Sequence, residues 1–169
     1  MNKHKGTNMK NSYKIILSSV IQYLTIGLIL LASSSGLHEM LHLRLTTILG
    51  GDGYIILNGL TTEFIFTTQP SNMTTVASAG LIVALLYTLI AYIGYRKKFA
   101  ELYTAIIPAI FIQLFYGAVE TMFWQLPDPE YFAITVPVVI ISALAGLALS
   151  IYLLYKDLKT RFHNLSLYG

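Results

Sequence analysis

Four apolar stretches constrain this chain more than any other feature. Each is long enough to cross about 30 Å of hydrocarbon as a helix, which takes about 20 residues. The first runs from about Ile15 to about Leu49, the second from about Val76 to Tyr95, the third from about Leu102 to Phe123, and the fourth from about Phe132 to Tyr155. Charged residues make up only 11% of the chain, against about 25% in an ordinary soluble domain. The expected fold is an all-α integral membrane protein, one domain over residues 1–169, with the lipid bilayer supplying most of its hydrophobic environment.

The basic residues orient the four stretches. Lys3, Lys5, Lys10 and Lys14 precede the first, Arg96, Lys97 and Lys98 fill the turn after the second, and Lys156, Lys159 and Arg161 follow the fourth. In an up-down-up-down bundle all ten lie on one side, and the positive-inside rule then makes both termini cytoplasmic. A net charge of +3 gathered at helix ends is no nucleic-acid signature. The chain has no cysteine, which excludes disulfides, thiolate metal ligands and a cysteine nucleophile.

Between the first two stretches the pattern changes. Gly50-Gly51-Asp52-Gly53 breaks the first helix. Two β-prone runs, Tyr54 to Leu57 and Leu60 to Phe66, then flank Asn58-Gly59. Asn-Gly between such runs is a strong short-range hairpin signal. A small β-hairpin over about residues 54–66 is predicted, on the side of the membrane opposite the basic residues.

The chemistry of the chain is concentrated in His38-Glu39-Met40-Leu41-His42, an HExxH motif near the end of the first apolar stretch. Positions i and i+4 share one face of a helix, so both imidazoles can grip one metal ion. Glu39, beside them, can take a proton from an attacking water. A carboxylate and two imidazoles beside hydrocarbon are costly and usually functional. The bland alternative is a pair of histidines packed between helices, with Glu39 solvated at the surface.

A catalytic zinc usually has three protein ligands and one open position. His4 and His163 fall in the tails on the basic side, so a carboxylate is expected to complete the set. Glu120 lies 22 residues after Lys98 and His38 lies 24 after Lys14. At 1.5 Å per residue their depths match to within about 3 Å. Asp128, in Leu126-Pro127-Asp128-Pro129, sits in a turn able to fold back over the site. Asp52, Glu63 and Glu130 read as loop charges. Arg44, one turn beyond the motif, fits either an oxyanion contact or a side chain snorkelling to the interface.

These residues carry a resemblance. HExxH ending a membrane helix, a glycine-rich break, a short β segment and the small-residue start Ala79-Gly80-Leu81-Ile82-Val83-Ala84-Leu85-Leu86 resemble the site-2 protease family of intramembrane zinc metalloproteases. The resemblance covers roughly residues 29–90. It implies zinc bound by His38, His42 and an Asp, matched by Asp128, with Glu39 activating water and a β strand presenting a membrane-protein or peptide substrate. Depth favours Glu120 as third ligand, and the family's order favours Asp128 slightly more. The family's site faces the cytoplasm, whereas the charge pattern here places it on the extracytoplasmic side. A second functional class stays open: a non-catalytic small subunit working with partner membrane subunits, its histidines holding a structural metal or haem.

Overall fold

Every apolar stretch forms helix, and the helices outrun the stretches that predict them. The computed structural model describes residues 3–58 and 61–167. Helix α1 spans Lys3–Ile48, strands β1 and β2 span Asp52–Asn58 and Thr61–Thr68, and α2 (Met73–Ala77), α3 (Ala79–Arg96), α4 (Ala100–Ala105), α5 (Ile107–Phe123) and α6 (Asp128–Leu167) follow. Four helical segments, Tyr13–Ile48, Met73–Arg96, Ala100–Phe123 and Asp128–Arg161, are long and apolar enough to cross a membrane. Hydropathy reports where apolar residues stop, whereas backbone hydrogen bonding can carry a helix on into polar sequence. Helix α1 thus already includes residues 3–14 ahead of Ile15, and α6 runs on past Tyr155 to Leu167.

The second and third segments are each interrupted, at Ser78 and at Ile106. The second interruption has a clear cause. Pro108 lacks an N–H and cannot bond the carbonyl of Thr104 one turn back. That carbonyl instead accepts from the Ser150 hydroxyl at 2.6 Å. The single Ser150 proton is thereby used, so Tyr23 must be the donor in its 2.7 Å bond with Ser150 Oγ. One missing backbone donor thus ties α1, α4 and α6 together at a buried point.

Small residues bring the helices together. A β-carbon on Gly117 would stand 2.6 Å from Leu81 N and 2.8 Å from the Gly80 Cα, and one on Gly80 would stand 2.7 Å from the Gly117 Cα. Helices α3 and α5 therefore cross backbone against backbone, the close approach that small residues allow. Gly146 lets α6 approach α5 in the same way, against Pro108 and Phe111. Val83, Tyr87, Ile106 and Ala109 form the core beside this crossing.

Helix α1 ends in a Schellman motif. Gly51 N–H bonds Thr46 O at 2.9 Å and Gly50 N–H bonds Thr47 O at 3.2 Å, with Gly50 at φ 76°, the left-handed conformation that glycine takes at least cost. The chain reverses here into the antiparallel hairpin. Its ladder runs from Asp52↔Thr68 to Asn58↔Thr61. It is thus longer than the predicted 54–66, and Asn58 pairs within the strand rather than opening the turn. Residues 59 and 60, which join the strands, lie outside the described residues. Thr62, Phe64 and Phe66 alternate onto the face turned to α1. There Thr62 Oγ1 lies 2.7 Å from Ser35 Oγ, and Ser71 N–H bonds Leu49 O at 3.0 Å where the chain leaves the sheet.

Candidate metal centre

The helix through His38-Glu39-Met40-Leu41-His42 is unbroken, so both imidazoles point the same way, and their Nε2 atoms stand 2.7 Å apart. Glu120, on α5, meets them. Its Oε2 lies 3.1 Å from His38 Nε2 and its Oε1 lies 3.1 Å from His42 Nε2. Both histidines are buried. Among the described residues His38, His42 and Glu120 are the one group of potential ligand atoms gathered closely enough to hold a metal ion.

A residue the sequence reading missed decides what this group can do. Gln113 Nε2 donates to the Ser34 carbonyl at 3.3 Å, an atom that can only accept. The Gln113 amide oxygen is thereby turned toward His38 Nδ1, 2.8 Å away. A neutral His38 then carries its proton on Nδ1, which leaves Nε2 as a lone pair aimed at Glu120. Lone pair facing carboxylate is no hydrogen bond, and Glu120 Oε2 accordingly is buried without any hydrogen-bond partner. A cation between them resolves both features. At metal–ligand distances of about 2.0–2.1 Å and tetrahedral angles, ligand atoms stand about 3.3 Å apart. The observed 2.7–3.1 Å separations need only a few tenths of an ångström of opening. The residues present therefore fit a small divalent ion, and Gln113 plays the outer part usual for a ligating histidine.

The signal for Gln113 lay in spacing along α5. Tyr116 and Gly117 lie three and four residues after Gln113, and Glu120 lies four and three after them, so all four share the face that packs on α3 and α1. The Gly80–Gly117 crossing brings that face close, and Gly80 itself lies under the His38 ring. The Tyr116 ring lies 5.1 Å from the His38 ring.

Asp128 takes no part in this group. It is exposed and opens α6, where a carboxylate meets the positive end of the helix dipole. Of the two carboxylates expected as third ligand, Glu120 is the one that meets the histidines, at the depth its spacing predicts. Arg44 is exposed and away from the lining of the site.

One side of the group is open. A cleft of about 460 Å³ reaches His42 and Glu120, and Glu39 forms part of its wall. Phe64 and Phe66 of β2 face it from the hairpin, with Phe64 parallel to the His42 imidazole at 6.2 Å. Gly53 makes room for this, since the Phe64 ring lies directly over its Cα. Trp124, Tyr131 and Phe132 close the far side. Set against known proteins, the chain matches no family model, no curated protein and no solved structure.

Proposed function

We propose that this protein is a membrane-embedded zinc endopeptidase acting on membrane proteins or peptides. One observation carries the reading: three ligand atoms converge beside an open cleft that His42, Glu120 and Glu39 line. Structural metal sites are closed by four protein ligands, whereas catalytic ones keep a position free. The same geometry disfavours haem, whose axial ligands approach from opposite faces, while these two nitrogens lie side by side. Exposed Leu28, Leu85 and Ile141, at 66–71% accessibility on the outer helix faces, support placement in a bilayer, since so wide an apolar surface is unsuited to water.

His38, His42 and Glu120 would hold the ion. Zinc bound there supplies Lewis acidity, which polarises a carbonyl and makes water acidic near neutral pH. The protein's own part follows from position. Glu39 takes the proton of the attacking water and returns it to the departing amine. Gln113 keeps the His38 lone pair directed at the site. Phe64, Phe66 and Phe132 give apolar side chains of a substrate somewhere to rest, and the hairpin edge offers main-chain groups to an extended segment. The resemblance to site-2 proteases supports the same chemistry, with Glu120 in the place of that family's Asp.

The test is metal content and its consequence. Protein purified in mild detergent should carry one zinc per chain, cleave an unwound membrane-segment peptide, lose cleavage on chelation and regain it with zinc. A zinc-loaded, folded preparation that cleaves no member of a diverse peptide set leaves a non-catalytic metal protein as the better description.

The proposal extends to orientation. Ten basic residues lie at the end of the bundle away from His38, in tails and one short turn where the positive-inside rule is strongest. The site then opens to the extracytoplasmic side. Single cysteines at Thr68 and Lys97, treated with an impermeant thiol reagent on intact cells, should label at Thr68 only. Labelling at Lys97 alone reverses the assignment.

A further inference from the structure

The end of the bundle opposite the metal centre holds a second pocket, of about 480 Å³, bordered by Lys14, Ser18 and Gln22 of α1, Lys98 and Phe99 of the α3–α4 turn, Arg161 of α6 and one carboxylate, Glu101 of α4. Its three cations are not equivalent. Arg161 is held in place, with Nη1 3.0 Å from Glu101 Oε1 and Nε 2.6 Å from Asp157 Oδ2. Its charge is answered within the protein. Lys14 and Lys98 are exposed, and among the described residues neither has an ion-pair partner. The pocket thus presents two free ammonium groups beside the hydroxyl of Ser18 and the amide of Gln22.

Lys98 is also in an expensive place. The turn that ends α3 is a Schellman motif, with Phe99 N–H to Gly94 O at 2.9 Å and Lys98 N–H to Tyr95 O at 3.0 Å. Lys98 occupies its left-handed position at φ 57°, where a side chain is disfavoured and glycine is usual. In the equivalent motif ending α1 that position is Gly50. Arg96 and Lys97 already mark this side by charge, so a topology signal alone gives no reason to strain the backbone for a third cation. The strained position is the one that sets an ammonium at the pocket mouth, and strain of this kind gathers at functional sites.

We propose that this pocket binds the phosphate of an anionic glycerophospholipid headgroup. Lys14 and Lys98 supply charge, Ser18 and Gln22 supply hydrogen-bond donors, and Ile15 and Phe99, both 40% exposed at its border, mark where the acyl chains begin. Basic pockets between helices at this level are the usual seat of such headgroups. The inference rests on the bundle standing in a bilayer, and is independent of the metal centre.

The test compares wild type with Lys98→Gly, which removes the ammonium and relieves the backbone. In neutral detergent the variant should melt no lower than wild type. Added phosphatidylglycerol, against phosphatidylcholine as reference, should raise the wild-type melting temperature, and Lys98→Gly should lose about 2–4 °C of that rise. Lys14→Gln should lose a similar amount, which covers the case of a variant unstable for other reasons. Inorganic phosphate at the same concentration should give little rise. A full phosphatidylglycerol response in both variants overturns the proposal, as does an equal response to inorganic phosphate. Zinc content should stay constant throughout, and flotation with liposomes checks the bilayer placement separately.

Discussion

Glu39→Gln should retain one zinc per chain and the wild-type fold, yet cleave peptides about 10²–10⁴ times more slowly, the usual contribution of a general base. The geometry requires this separation. Glu39 lines the cleft and stands outside the ligand group, so amidation removes a proton acceptor and leaves the ion's own contacts untouched. Gln113→Leu should show the reverse order of effects. Without an acceptor at His38 Nδ1, the proton is free to sit on Nε2, and zinc affinity should fall about 10–100-fold. Cleavage by Gln113→Leu should then recover as zinc is raised, while Glu39→Gln should stay slow at any zinc concentration. Metal titration with parallel activity assays separates the two. Wild-type cleavage by Glu39→Gln, in a preparation free of other proteases, is the result that removes the enzyme reading.

Gly117→Ala should dismantle the centre from a distance. Alanine for glycine inside a helix ordinarily stabilises by about 0.5–1 kcal/mol. Here the new β-carbon would fall 2.6–2.8 Å from the α3 backbone, where about 3.5–4.0 Å is comfortable. Helix α5 must move out by about 1 Å and carry Glu120 with it. Metal sites tolerate about 0.2 Å, so zinc content should fall at least about tenfold and the melting temperature should drop. Gly36→Ala is the matched control, because nothing lies within 4 Å of its added carbon. It should keep zinc and melt at or above wild type. If Gly117→Ala binds zinc as wild type does, the glycine crossing is not what positions Glu120.

What could be read in advance followed the physics of each signal. Period and hydropathy are local, so the four apolar helices, the shared helix face of His38 and His42, and the hairpin were legible. Depth along a helix is nearly local too, and it placed Glu120 level with His38. The choice between Glu120 and Asp128 needed tertiary knowledge: Pro127-Asp128-Pro129 reads equally well as a turn or as a helix start, and it is the latter. Gln113 escaped because an amide in an apolar helix has many uses, and only its partners Ser34 and His38 reveal which one applies. The glycines were visible as small residues, but the pairing of Gly80 with Gly117 is a property of two helices and is written in neither alone.

The centre is also divided in time. A ribosome makes the chain from its amino end at about 5–20 residues per second, and Gln113 lies 75 residues beyond His38. About 4–15 s therefore pass between synthesis of the two histidines and synthesis of the residue that orients one of them, with Glu120 two turns later still. Through that interval the hairpin and α3 are being made, α5 is not complete, and the ligand set lacks Glu120. A chain truncated between His42 and Glu120 carries the HExxH motif without the group that completes it. Arrest or premature termination thus yields a fragment that cannot assemble the three-ligand group.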